Sequence, residues 1–344
     1  VISMTKSKNK KIEDHIFFFG ERMSVKILAQ HLSMKGIKAE SRISGDVGMI
    51  TNSEFGAAEI LDESFEKINY ELTKIKGIPI ITGFGGKDCN GEFTTFSRGG
   101  SDYVASLIGA AVQAERIEIW TEVNGVMTTN PQIVKEAKTI PLLTFNEASE
   151  LAYFGAKVLH PKTIIPAINK NIPVKVLNTF EPENEGSTIV CDEVCTQTVK
   201  AISYKRGIII IDVKSSRMLN AHGFLAKIFE VFAKYKKSVD MIATSEIKVS
   251  MSIDCDDNLR KIIRELKKIA NVKISKNKAI ICVVGQGINN NIFVTEKIFG
   301  SLREINTTVE MVSQCYDNVS INLVIENSKV EKTVKCLHKE LIQL

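Results

Sequence analysis

No stretch of the 344-residue chain approaches the roughly eighteen consecutive apolar residues of a membrane span; the longest apolar runs, such as 279–284, are strand-sized. A membrane partner is therefore not expected. Nor is there an aromatic and basic platform of the kind that binds nucleic acid, and the formal charge of +5 is small and spread along the sequence. The seven cysteines include no CxxC pair. An odd count without a framework excludes a disulfide scaffold and points to a reducing, cytoplasmic setting. Cys191 and Cys195 lie close, but no nearby histidine or second pair completes a zinc site. No Walker A sequence occurs, and no GxGxxG follows a strand, so the common nucleotide loops are missing. The first fourteen residues are polar and lysine-rich and lack the apolar core of a signal peptide. The sequence starts at Val1 rather than methionine, and the expectation is a fragment.

What is present is ordinary for a soluble globular protein, 44% hydrophobic and 25% charged, and long enough for two or three domains. The last third carries an internal repeat. "KIF" at Lys227 returns at Lys297, "SVDMI" at Ser238 returns as "TVEMV" at Thr308, and "VS" at Val249 returns at Val319, each seventy residues on. The first copy reads as strand 207–213, helix with Phe224, Leu225, Ile228, Phe229 and Phe232 on one face, strands 239–244 and 248–254, helix 259–270 and strand 272–275. That is βαββαβ, a ferredoxin-like unit. The second copy runs 279–284, 294–305, 309–315, 319–325 and 330–341, and stops one strand short. The unassigned strand 199–205 is expected to complete its sheet, since an open edge invites aberrant pairing. Such a tandem suits dimerisation, small-molecule sensing, or both.

The first two thirds alternate strands and helices: helix 64–76, strand 78–82, a hairpin turned at Asn90–Gly91, helix 102–114, strand 117–120, helices 145–154 and 161–169, and strand 174–177. The expectation is an α/β fold with a mostly parallel sheet between helices. Ligands bind at the carboxyl ends of such strands, where "GFGG", "TEVNGV" and "LNTF" fall. "RGGSD" (from Arg98 to Asp102) stands before an apolar helix. Its arginine can fork onto a carboxylate or phosphate, and the helix amides favour an anion. Equally, Ser101 or Asp102 can simply cap the helix.

"TTFSRGGSD", "IEIWTEVNGVMTTNP", "ELAYFGAKVLHP" and "MLNAHGFLAKIF…SVDMIATSE" occur here in the order and spacing of the aspartate kinases, and the sequence most resembles their single-function, lysine-inhibited type. The resemblance implies an amino-acid-kinase fold over 1–195, N-terminally incomplete, followed by two ferredoxin-like ACT domains. The first would span 207–277 and bind effector; the second would combine 196–206 with 278–344 and hold a homodimer together. It implies transfer of the γ-phosphate of ATP, with Mg²⁺, to the side-chain carboxylate of L-aspartate, the first step toward lysine, threonine and methionine, with L-lysine as feedback effector. No protein base is needed, because that carboxylate is already ionised at neutral pH. Arg98 would clamp the α-carboxylate of aspartate, Glu21 its amino group, with Phe84 and Ser101 lining the pocket and Asp102 beside the reacting groups. Thr121, Glu122, Met127, Gln132 and Lys157 would hold ATP, and His160 would serve the following helix start. Effector contacts would fall on Met218, Ala221, Phe224, Leu225, Ser238, Val239, Asp240 and Thr244, with Asp240 pairing the ligand's ammonium. In the second copy Glu310 matches Asp240, but "NNNIF" replaces "AHGFL", so no lysine is expected there.

Two departures bear on activity. The family's N-terminal "KFGGTS" loop, whose lysine neutralises the transferred phosphoryl group, is absent from this sequence. The nucleotide loop, T-D-V-x-G-[IV]-Y-T-T-D-P-R in the family, has Glu122, Met127, Asn130 and Gln132 in place of Asp, Tyr, Asp and Arg. The expectation is little or no kinase turnover by this chain, with a non-catalytic, lysine-binding regulatory homologue as the alternative. A glutamate or acetylglutamate kinase is disfavoured by the tandem repeat and by "FGAKVLHP".

Overall fold

The computed structural model describes residues 9–97, 99–155, 161–191, 197–218, 222–288, 291–315 and 319–342. The chain divides into two compact units, one formed by 1–125, 141–145 and 157–193, the other by 126–140, 146–156 and 194–344.

The first unit opens with a helix the sequence reading did not foresee, α1 (Lys10–Met34), whose start is capped by the Asn9 side chain accepting from Lys11 N at 3.1 Å. Asp14, Phe18, Val25 and Ala29 form its buried face, at helical spacing. That face meets β1 (Ala39–Arg42) and β5 (Phe93–Thr95), and the Phe18 ring stacks on Phe93 with centroids 4.9 Å apart. The other elements are β2 (Ile50–Thr51), α2 (Glu63–Thr73), β3 (Ile78–Ile81), β4 (Gly85–Asp88), α3 (Gly100–Ala111), β6 (Ile117–Thr121), β7 (Leu142–Thr144), α5 (Ile165–Asn169), β8 (Val174–Asn178) and β9 (Ser187–Val190). The pairs β1–β3, β2–β4, β6–β8 and β7–β9 are parallel; β4–β5 and β8–β9 are antiparallel. Mostly parallel pairing is as expected, but the strands fall into three small sheets. Met49, Ile68, Phe96, Val104 and Leu107 pack together in one hydrophobic core.

"GFGG" read as a loop, yet Gly85 and Gly86 lie within β4. A methyl on Gly85 would come within 2.1 Å of Thr94 O, and one on Gly86 within 2.5 Å of Met49 O. These two glycines allow the close approach of neighbouring backbone.

The second unit is built on one six-stranded sheet in the order β11–β12–β10–β13–β15–β14. Its strands are β10 (Ala201–Lys214), β11 (Met241–Thr244), β12 (Lys248–Ile253), β13 (Asn271–Val284), β14 (Met311–Ser313) and β15 (Ser320–Glu326). Its helices are α4 (Phe145–Tyr153, in this unit from Asn146 on), α6 (Phe224–Lys234), α7 (Leu259–Leu266), α8 (Ile292–Glu304) and α9 (Val330–Leu341). The expected pairing of the orphan strand is found: residues 201–205 run antiparallel to 280–284. The separation into two sheets is corrected. Strands 199–205 and 207–213 are one strand, β10, and 272–275 and 279–284 are one strand, β13. The two copies share these long strands, which change register around residues 206–210. Gly207 in β10 has φ +76° and Asn277 in β13, its repeat mate seventy residues on, has φ +59°. Each lets a single extra residue bulge out so that one strand serves two half-sheets. Ile228, Phe232, Ile262 and Leu266 cover the first half, and Ile298, Leu302, Val334 and Leu337 the second.

Candidate functional site

In the first unit, α1, the turn after β3 and the start of α3 converge. Glu21 of α1 accepts a hydrogen bond from Gly83 N at 2.9 Å. A side chain on Gly83 would strike Ser101 Oγ at 2.7 Å and Glu21 Oε2 at 3.2 Å, so only a glycine lets Glu21 and Ser101 approach this turn so closely. Phe84 follows at φ +67°, a conformation that costs a non-glycine residue about 1–2 kcal/mol. The neighbours fix it: Phe96 N donates to Phe84 O at 2.9 Å, and Ser44 Oγ donates to Gly85 O at 2.5 Å. Ser44 is itself held by Thr82, whose hydroxyl accepts from Ser44 N at 2.8 Å. The surrounding hydrogen bonds thus hold the turn in a conformation the residue alone would not favour. Sequence reasoning missed Ser44 and Thr82, since neither lies in a motif.

The capping reading of "RGGSD" is corrected. Gly99 is the N-cap of α3, at φ +76° and with no side-chain cap bond, while Ser101 and Asp102 lie in the first turn. The uncapped amides leave a partial positive charge at that end. Burial pushes the Asp102 carboxyl above its ordinary range. Arg98 lies outside the described residues, as do Lys157 and His160.

The adjacent carboxyl ends of β6 and β8 are laced together. Thr179 N donates to Thr121 O at 2.8 Å, Asn178 Nδ2 to Asn124 Oδ1 at 2.5 Å, and Asn124 Nδ2 to Glu181 Oε2 at 2.9 Å. Thr121 Oγ1 donates to Glu122 Oε2 at 3.0 Å. The loops "TEVNG" and "LNTF" thus form one polar rim carrying Thr121 and Glu122. Met127 and Gln132 belong to the second unit, where Met127 bridges Thr139 and Gln132 is exposed.

The effector candidates gather around the first half-sheet of the second unit. Met218, Phe224 and Val239 pack on its core, and Leu225, Ser238 and Thr244 are exposed. Ala221 lies outside the described residues. Asp240 is not the free carboxylate the sequence led one to expect. Its side chain is 2% exposed and meets Lys205 Nζ at 3.3 Å, and Tyr153 Oη donates to its Oδ1 at 2.6 Å. Lys205 and Tyr153 stand 35 and 87 residues from Asp240, in no motif shared with it. Burial, then the bond to Asp240, pushes the Tyr153 hydroxyl far above its ordinary pKa.

Residues 3–178 match the amino acid kinase family, and 211–264 and 281–341 match an ACT domain. The chain is 36% identical to aspartokinase 3, chloroplastic, of Arabidopsis thaliana, over 99% of its own length and 64% of the relative's. It superposes on the crystal structure of E. coli aspartokinase III in complex with aspartate and ADP (R-state) with a TM-score of 0.85 at 30% identity, covering 98% of this chain and 77% of that one. Against the same enzyme in complex with lysine and aspartate (T-state), the TM-score is 0.80, at the same identity and coverage. The chain spans just under two thirds of the length of the plant relative.

Proposed function

Since this chain belongs to the aspartokinase family, with an amino-acid-kinase domain followed by ACT domains, we propose that it takes part in the ATP-dependent phosphorylation of the L-aspartate side chain under control by L-lysine. The observation that carries the reading is the convergence of Glu21, Gly83, Phe84 and Ser101 beside the uncapped start of α3. Glu21 suits an amino group. Arg98, one residue before the Gly99 N-cap, would bring a guanidinium to an α-carboxylate at the same end. The rim at the ends of β6 and β8 would receive the nucleotide through Thr121 and Glu122. Bound MgATP supplies the phosphoryl group, and Mg²⁺ would come with the phosphates. Among the described residues no group of three or more His, Cys, Asp or Glu side chains is placed to hold a metal.

The proposed domains are 1–195 for the kinase, 207–277 for the effector-binding ACT domain, and 196–206 with 278–344 for the second. Homodimerisation through the second is supported by Ile292 and Phe293 of α8, 80% and 67% exposed. No helix among the described residues is long and apolar enough to cross a membrane, and a cytoplasmic setting is proposed on the cysteine pattern.

Calorimetry tests the substrate reading: aspartate binds the wild-type chain, and Glu21→Gln weakens it at least about tenfold, or 1.4 kcal/mol. Absence of aspartate binding overturns it. The altered loop (Glu122, Met127, Gln132) favours a second reading, a lysine-binding regulatory homologue without turnover. ADP release in the presence of ATP and aspartate decides between the two. Lysine binding that survives Asp240→Ala unchanged would overturn the effector assignment.

A further inference from the structure

The carboxylate assigned to the effector's ammonium is already engaged. Both oxygens of Asp240 lie 3.3 Å from Lys205 Nζ, and the Tyr153 hydroxyl takes Oδ1. Lys205 also reaches Asp254 Oδ2 at 3.3 Å, and its ammonium stands 4.9 Å from the Tyr153 ring centroid. Lys237 faces Asp254 from 3.4 Å. Partial burial pushes Asp254 upward, but Lys205 and Lys237 outweigh it and hold its carboxyl below the ordinary range. The cluster is neutral, with two carboxylates and two ammonium groups. A third ammonium entering beside Asp240 would leave a surplus positive charge against a nearly buried pair, which a low-dielectric site resists.

The second copy supplies an independent observation. Glu310, seventy residues after Asp240, is bonded to Lys278, which also bonds Glu326. In both copies, then, the acid at this repeat position receives a lysine ammonium from the chain itself. They differ in access. The Lys278 side chain is 9% exposed, that of Lys205 is 21%. Lys205 further has a partly exposed second acceptor, since the Asp254 side chain is 45% exposed.

We propose that Lys205 is a built-in occupant of the effector's ammonium position, and that free lysine binds the first ACT domain by exchange. The incoming ammonium takes Asp240 while Lys205 withdraws onto Asp254. No covalent bond changes and the charge at Asp240 is conserved, so the exchange avoids leaving a buried carboxylate unpaired. Tyr153 shares Oδ1 of Asp240, so the same exchange reaches the end of α4. The inference rests on the effector reading above and adds that the site is self-occupied in the absence of ligand.

Calorimetric titration of the whole chain with lysine and with norleucine, which keeps the α-amino acid group and an aliphatic side chain but has no side-chain ammonium, tests it. Lys205→Met removes the internal competitor and is expected to bind lysine at least about tenfold tighter than wild type, about 1.4 kcal/mol. Its preference for lysine over norleucine widens by the same factor. Asp254→Asn removes the place to which Lys205 withdraws, and weakens lysine binding. This second variant keeps Lys205 and Asp240 paired, and so tests the exchange even if Lys205→Met fails to fold. If wild type binds lysine but Lys205→Met binds no tighter with an unchanged preference, or Asp254→Asn does not weaken binding, the exchange is wrong and the effector site stands. If wild type binds no lysine, the effector reading itself falls.

Discussion

Single residues in this protein act mostly through partners far away in sequence. Asp14 is the clearest case. Buried to 2% exposure, it accepts from Gly56 N at 2.8 Å, Thr95 N at 2.9 Å and Thr95 Oγ1 at 2.7 Å, tying α1 to the strand that leads into "RGGSD". Asp14→Ala leaves those donors without their acceptor and is expected to cost about 2–4 kcal/mol, read from urea unfolding. His338 gives a pH signature. Burial holds its imidazole below the ordinary range against the opposing pull of Glu136, and its Nε2 lies 2.9 Å from Thr128 Oγ1. The unfolded chain takes up a proton near pH 6.5 that the folded chain resists. This contribution to stability is therefore complete above about pH 6.5 and is lost as the pH falls through the lower folded value. Thermal melts between pH 7 and 5 should show that decline, and His338→Gln should flatten it. Ser101 was singled out in the sequence by a family motif, and Glu21 by the family resemblance. Asp14, Lys205 and Tyr153 were not, because their meaning lies in contacts that no local pattern announces.

At the scale of elements, α4 shows how much a correctly read helix can conceal. It runs Phe145–Tyr153 against an expected 145–154. Its polar residues, however, are anchors rather than a solvated face. Glu147 pairs with Lys200 at 3.0 Å with side chains 0% and 2% exposed, and also accepts from Gln286 N. Glu150 accepts from Ser320 Oγ at 2.7 Å, and Tyr153 donates to Asp240. Three positions at helical spacing thus pin one helix to both halves of the shared sheet. Lys200→Met should destabilise by about 3–5 kcal/mol, because it strands a buried carboxylate. Adding Glu147→Leu should recover much of that loss in the same denaturation experiment, since a buried pair replaced whole costs far less than one broken.

Across the whole molecule, the repeat was legible and its joining was not. The seventy-residue offset predicted two ferredoxin-like copies, and the missing strand of the second copy was expected at 199–205, where it is found. That the copies fuse into a single sheet follows from β10 and β13 each running fourteen residues through a bulge. Gly207 and Asn277 carry those bulges at positive φ. Gly207→Val should cost about 1–2 kcal/mol in chemical unfolding, since a branched side chain resists that conformation. Asn277→Gly should be neutral or slightly stabilising, because glycine adopts it freely.

The sequence alone determined the alternation of elements, the repeat, and the residue types proposed for a substrate site and an effector site. It could do so because periodicity and short motifs are local properties of the chain. The tertiary structure decided which of these groups are free to act. It placed Glu21 against Gly83 and Ser101, turned the double glycine into strand packing, and paired the Asp240 carboxylate with Lys205. Those outcomes depend on which charges and hydroxyls meet in the folded chain, and a buried charge is defined by its partner rather than by its neighbours in sequence.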